Sequence, residues 1–237
     1  MHNQVATTHG GGMLQGAMFD LPAARVGHPA RYTEALLGVM AELLHDARRI
    51  LDPFGGVGGV FKLAPFLPGA RFECVEIQPK WAAHDPRITC GDATALRWRD
   101  GSFDGICTSP TYGNRMADDH NARDASHRHT YTHMHRGPLN PNNTGAMQWG
   151  TRYRDTHRRA WRESHRVLVP GGRFVLNCKD HIRGGVLMPV TAWHVVTLMQ
   201  IGFELVEWWL VPCPGMRNGA NRDARVAHES VILLRRG

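Results

Sequence analysis

Residues 51–59 read Leu51-Asp52-Pro53-Phe54-Gly55-Gly56-Val57-Gly58-Gly59. Just before them, Arg49 to Asp52 has the make-up of a short buried strand closed by an acid. Glycine then occupies four of five positions, from Gly55 to Gly59. Such a run lets the backbone turn sharply and approach a ligand closely. A helix is expected beyond, over residues 59–66, closed by Pro68-Gly69, and a helix N-terminus favours negative charge. Upstream, Leu36, Val39, Met40, Leu43, Leu44 and Ala47 recur at helical spacing within residues 30–47. Helix, strand, glycine loop and helix in this order open an α/β unit.

The alternation continues along the chain. Strands are expected at 71–75, 87–89, 103–108, 173–178, 203–211 and 229–234, which with 49–52 makes seven. Helices are expected at 153–168, presenting Ala160, Trp161, Val167 and Leu168 inward, and at 189–201, stopped by Gly202. Pro170-Gly171-Gly172 reads as a turn. The prediction is an α/β fold: a mostly parallel seven-stranded sheet with helices on both faces. Residues 1–24 lack a clear period and read as a flexible arm. Residues 25–237 read as one domain, interrupted by a polar loop at 113–152 rich in His, Asn and Gly.

In open sheets of this kind ligands bind outside the carboxyl ends of the strands. Asp52, Glu76, Asp92 and Ser109 all fall at predicted strand ends. The glycine loop is no P-loop, because no Gly-Lys-Ser/Thr follows, and the dinucleotide pattern GxGxxG is absent. Glu76, about twenty residues past the first strand, is placed to accept both hydroxyls of a ribose. Asp92 is placed for an adenine amine. Together they point to an adenosine-containing cofactor.

Composition narrows the partners. The chain has 237 residues and a net charge of +7, and 42% of it is hydrophobic. No apolar run approaches the roughly 20 residues of a membrane-spanning helix, and the N-terminus has no secretory pattern. Five widely spaced cysteines without a CxxC pair indicate neither a disulfide framework nor a zinc site, so a cytoplasmic setting is the default expectation. Only three cations are Lys (Lys62, Lys80, Lys179). Residues 113–166 hold ten Arg against five acids, and seven of the fifteen His. A guanidinium fork matches phosphate and guanine edges, and this clustering points to a polyanion. His127, His129, His133 and His135 are irregularly spaced and read as a contact loop, with no metal site. Cys213, in Pro212-Cys213-Pro214, reads as structural.

The fourth strand ends in Thr108-Ser109-Pro110-Thr111-Tyr112. Here a hydroxyl, a rigid turn with exposed carbonyls and an aromatic face lie within four residues. These groups suit a flat ring held by its amino edge. With the glycine loop and Glu76, this order resembles the S-adenosylmethionine-dependent DNA amino-methyltransferases, a class I methyltransferase family whose motifs are DPFxGxGT and [DNS]-P-P-[YFW]. Leu168-Val169-Pro170-Gly171-Gly172 and His228-Glu229-Ser230-Val231-Ile232 resemble that family's later segments, and Gly27 to Tyr32 its cofactor-side segment.

The resemblance implies a Rossmann-like class I methyltransferase acting on double-stranded DNA. The cofactor would be S-adenosyl-L-methionine, held by His28, Tyr32, Asp52, Pro53, Phe54, Gly55, Gly56, Gly58, Glu76, Ile77, Asp92, Ala93 and Ser109. The target base would be flipped out of the duplex, stacked on Tyr112, and hydrogen-bonded through its amine to Ser109 and the Pro110 carbonyl. Ser109 at the first catalytic position leans towards cytosine, with adenine next. Thr111 departs from the family's second proline, and Gly59 from its threonine. Asn114, Arg115, Arg152, Arg154, Arg217 and Arg222 are the expected nucleic-acid contacts, supplemented by a homodimer partner if the loops do not suffice. An orphan enzyme and one paired with a restriction nuclease read alike in sequence. Two other readings fit the same motifs: an RNA exocyclic-amine methyltransferase, and a cofactor-binding subunit that has lost catalysis.

Overall fold

The structure, a computed structural model, describes residues 33–113, 131–183, 185–213 and 226–237. His28, Tyr32, Asn114, Arg115, Arg217 and Arg222 therefore lie outside the described residues, as do the expected arm, His127 and His129.

Seven strands form the main sheet: β1 (Arg49–Asp52), β2 (Arg71–Glu76), β3 (Ile88–Cys90), β4 (Phe103–Thr108), β5 (Leu168–Cys178), β8 (Phe203–Pro212) and β9 (His228–Arg236). Their order is β3-β2-β1-β4-β5-β9-β8. The first five pair in parallel, and β9 runs antiparallel to both its neighbours. Between β5 and the rest of the sheet sequence, β6 (His181–Arg183) and β7 (Val186–Met188) pair as a separate hairpin.

Period-two alternation sorts side chains onto two cores. Along β4 and β5, Cys107 and Val175 join the cluster under α1 (Glu34–Leu43). Ile106, Phe174 and Leu176 point the other way, into the cluster under α4 (Thr151–Val167) and α5 (Val190–Ile201). Helices thus cover both faces. The helix α4 buries Tyr153, His157, Ala160, Trp161, Ser164 and Val167, a single stripe at helical spacing. Gly105 lets the connection from α1 to β1 close on the sheet, because a Cβ there would meet Ala47 Cβ at 2.8 Å.

Some expectations needed correction. The helix predicted at 59–66 is a 3-10 helix at Gly59–Leu63. The predicted turn at Pro170-Gly171-Gly172 is absorbed into β5. There the register shifts between Phe103, opposite Leu168, and Gly105, opposite Arg173, and Gly171 takes φ 74° in the bulge. Asp92 lies two residues beyond the end of β3. The polar stretch expected as a loop contains α3 (Tyr131–His135) and a 3-10 turn at Thr144–Ala146, and α4 begins at Thr151. The short helix α2 (Pro79–Ala82) and the β6–β7 hairpin carry no period long enough to read from sequence.

Candidate active site

The glycine loop leaves β1 over the carboxyl end of the sheet. Asp52, fully inside, fixes its start: its Oδ1 accepts from Phe54 N at 3.0 Å and from the Thr108 hydroxyl at 2.7 Å. That pair ties the loop after β1 to the end of β4. Gly55 N donates to Val75 O at 2.9 Å. A Cβ on Gly55 would lie 2.7 Å from Cys74 Cβ, so no larger residue fits without shifting backbone. Gly58 sits at φ 87°, a left-handed turn that favours glycine.

Glu76, at the end of β2, holds the loop from the other side. Its Oε2 accepts from Gly56 N at 3.1 Å and its Oε1 from Gln78 N at 2.8 Å. Burial pushes its carboxyl up to about 7, although both N–H groups pull it back, and Asp52 adds repulsion. Burial likewise raises Asp52 to about 7 against the pull of Thr108 and Phe54. Two buried acids raised towards neutrality at one sheet edge make this edge a candidate ligand site.

These elements surround a cleft that opens to solvent at the carboxyl end of the sheet, the place where ligands bind in open α/β sheets. Pro53, Phe54, Glu76, Ile77, Asp92, Ala93 and Ser109 line it, all among the residues expected to hold a cofactor. Asp52, Gly55, Gly56 and Gly58 do not line it. They stand behind the wall and shape it through the bonds just described. Thr111 lines the same cavity, so the loop after β4 and the glycine loop open into one space.

The polar stretch supplies a roof that sequence reasoning missed. Tyr131, Asn142, Asn143 and Thr144 line the cavity. Tyr131 meets Trp81 edge-on at 5.8 Å, and Lys80 Nζ donates to His135 O at 2.9 Å, which fastens α3 to α2. Asn142 Nδ2 reaches Asp92 Oδ2 at 3.4 Å. The only hint in the sequence was the aromatic Tyr131 and the Asn-Asn pair within a polar run. Thr156, on α4, completes the wall.

Tyr112 departs from its expected place. It does not line the cavity. Its ring packs against the α4–α5 core, and its hydroxyl lies 3.0 Å from Ser109 Oγ. Asn177, buried on β5, donates through Nδ2 to Ser109 Oγ at 3.3 Å, Tyr112 OH at 3.4 Å and Glu229 Oε2 at 2.9 Å. Asn177 was not singled out in the sequence, because an Asn in an apolar strand has no spacing signal. Cys213 Sγ lies 3.5 Å from Glu229 Oε1, and burial with that carboxylate raises its thiol pKa, which suits a non-nucleophilic cysteine. Arg152 Nη2 donates to Pro141 O, and Arg154 lies over Trp149 at 5.7 Å. No cluster of potential metal ligands occurs among the described residues.

No protein-family model and no curated protein matches the sequence. Solved structures do match the fold. An S-adenosylmethionine-dependent methyltransferase from Methanosarcina mazei aligns over 87% of this chain and 99% of its own, with a TM-score of 0.56 and 12% identity. The fold is that of the class I methyltransferases. The cyclase SpnF shares this class I fold over 87% of this chain and 84% of its own, with a TM-score of 0.51 and 14% identity. A cyclase on the same scaffold shows that the reaction must be argued from the site.

Proposed function

We propose that this protein transfers a methyl group from S-adenosylmethionine to the exocyclic amine of a base in duplex DNA, with cytosine-N4 favoured over adenine-N6. One observation carries the proposal. Ser109 and Thr111 of the strand-end loop line the same cavity as Glu76, Ile77, Asp92 and Ala93, so acceptor-binding and cofactor-binding groups converge on one space.

The residues fit an adenosyl cofactor. Glu76 keeps lone pairs beyond those given to Gly56 and Gln78, enough for two ribose hydroxyls. Ile77 and Ala93 give the cavity apolar lining for a flat ring, and Asp92 lines the same cavity as an acceptor for its amine. When bound, the cofactor supplies an electrophilic methyl carbon. Ser109 has one proton and two lone pairs. When Ser109 is the donor of the Ser109–Tyr112 bond and accepts from Asn177, its other lone pair accepts from the base amine. The Pro110 carbonyl takes the second amine proton, which turns the nitrogen lone pair towards the methyl group. Positioning of this kind needs no covalent enzyme intermediate. Stacking on the flipped base requires the Tyr112 ring, packed on the α4–α5 core here, to turn towards the cavity.

The DNA reading rests on charge. The helix α4 alone carries six Arg against two acids, and Arg152, Arg159 and Arg162 are exposed on it. Binding of non-cognate duplex is expected to weaken steeply between 50 and 200 mM salt, in the way arginine–phosphate contacts release counterions. A flat dependence in a filter-binding titration contradicts it.

Cofactor binding is also expected to depend on pH. With Glu76 near 7 in the free protein, ribose hydroxyls donate to the carboxylate and favour its ionised form. Binding below pH 7 therefore releases a proton. Affinity should fall by about tenfold per pH unit below roughly 6.5 and level off above 8. Calorimetry with S-adenosylhomocysteine from pH 5.5 to 8.5 checks this, and a flat profile is inconsistent with the assignment.

The test of the function is transfer of tritiated methyl groups from S-adenosylmethionine to unmethylated genomic duplex. Label in duplex that RNA does not compete away supports the proposal. Label in RNA alone overturns it in favour of an RNA methyltransferase.

A further inference from the structure

Three buried side chains from α4 and α5 end on the loop after β4. Tyr153, Trp161 and His194 are each 0% exposed. Trp161 Nε1 lies 3.1 Å from His194 Nδ1, and His194 Nε2 lies 2.9 Å from the Tyr153 hydroxyl. The Tyr153 hydroxyl donates to the Thr111 carbonyl.

Chemistry fixes the direction of this chain. An indole N–H only donates, so His194 Nδ1 must accept. The neutral ring then carries its proton on Nε2 and gives it to the Tyr153 oxygen. That leaves the Tyr153 proton for the Thr111 carbonyl, which only accepts. Burial holds His194 well below the usual histidine range, so the ring stays neutral and the tautomer stays fixed.

Nearby, Trp149 N donates to Gly113 O at 3.1 Å. A Cβ on Gly113, whose φ is 62°, would lie 2.9 Å from Trp149 N, so this approach requires glycine. Residues 149–153 thus grip the loop at two carbonyls, on either side of Tyr112.

We infer that Tyr153 is a positioning residue, which with His194 and Trp161 behind it holds the Thr111 peptide and sets the pose of the Ser109-Pro110 acceptors. Thr111 stands where a second proline would fix φ from within the chain. Here the rigidity comes from α4, through a hydrogen bond to the backbone. This inference rests on the methyl-transfer reading for its effect on turnover, while the bonding chain itself is tested without it.

Three measurements decide the matter. In the intact protein, nitrogen NMR of His194 should show the neutral Nε2–H tautomer unchanged from pH 5 to 8. The Nδ1–H tautomer, or titration within that range, overturns the chain of donors whatever the protein methylates. With tritiated S-adenosylmethionine and genomic duplex, Tyr153→Phe should lower kcat by about 100-fold, the scale set by small misplacements of reacting groups. Its dissociation constant for S-adenosylhomocysteine should stay within about twofold of wild type. An unchanged kcat overturns the positioning role. On the Tyr153→Phe background, Thr111→Pro should restore at least about tenfold of the loss, because the ring supplies the missing constraint. A merely structural role for Tyr153 predicts no restoration, and that result overturns the proposal. Absence of transfer by the wild-type protein fails the methyl-transfer reading and leaves the NMR result to stand alone.

Discussion

Glu76→Ala is expected to weaken S-adenosylmethionine binding by about 100-fold or more, roughly 3 kcal/mol. The loss has two parts. The carboxylate offers the ribose two charge-assisted acceptors, each worth about 1.5–3 kcal/mol. It also holds Gly56 N and Gln78 N, so alanine frees both the glycine loop and the turn after β2. The fold should not suffer in proportion. Burial disfavours the ionised form of Glu76, and ionising it above pH 7 costs the native state stability that alanine does not lose. Unfolding at pH 8 should therefore occur at a temperature no lower than wild type, while calorimetry shows the affinity gone. Glu76→Gln keeps one acceptor and should lie between the two. A dissociation constant for Glu76→Ala within twofold of wild type removes Glu76 from the cofactor site.

Tyr112→Ala should act on the other substrate. Tyr112 does not line the cavity, so cofactor affinity should hold within about twofold. Turnover on duplex DNA should fall by about 10- to 100-fold, since stacking an unpaired base on an aromatic ring is worth about 1–3 kcal/mol. Alanine also removes the hydroxyl 3.0 Å from Ser109 Oγ. Tyr112→Phe separates the two contributions, because it keeps the ring and loses only that bond. If stacking dominates, phenylalanine restores most of the turnover. If phenylalanine is as slow as alanine, Tyr112 acts by orienting Ser109. Steady-state rates with genomic duplex read both. An alanine variant with wild-type turnover removes Tyr112 from the reaction.

Much of the fold was legible in the sequence because its signals are local and periodic. Ile50 and Leu51 before an acid, then four glycines, read as a strand end and a ligand loop, and Asp52 and Glu76 do end β1 and β2. Strand ends converge on one edge of a parallel sheet, so their acids converge too, and seven expected cofactor residues line one cavity. What stayed hidden depends on contacts between distant segments. Tyr131 and the Asn142-Asn143 pair do not by themselves announce a roof, since its hold comes from Trp81, Lys80 and Asp92, about fifty residues away. Pro170-Gly171-Gly172 reads as a turn from composition, and only pairing with β4 makes it a bulge inside a strand. Tyr112 was legible as an aromatic at a strand end, while its inward hydroxyl follows from Asn177, sixty-five residues later. The hydroxyl of Tyr153, hidden in a helical core stripe, serves the loop after β4 and not the core alone.

The proposal that Ser109 and Pro110 present a base amine to the cofactor is tested by mass spectrometry of nucleosides. Unmethylated genomic duplex is incubated with the protein and S-adenosylmethionine, then digested to nucleosides. N4-methyldeoxycytidine should accumulate with wild type and disappear with Ser109→Ala. Only 5-methyldeoxycytidine, or no methylated deoxynucleoside from a protein that binds the cofactor, would contradict the amine-directed site.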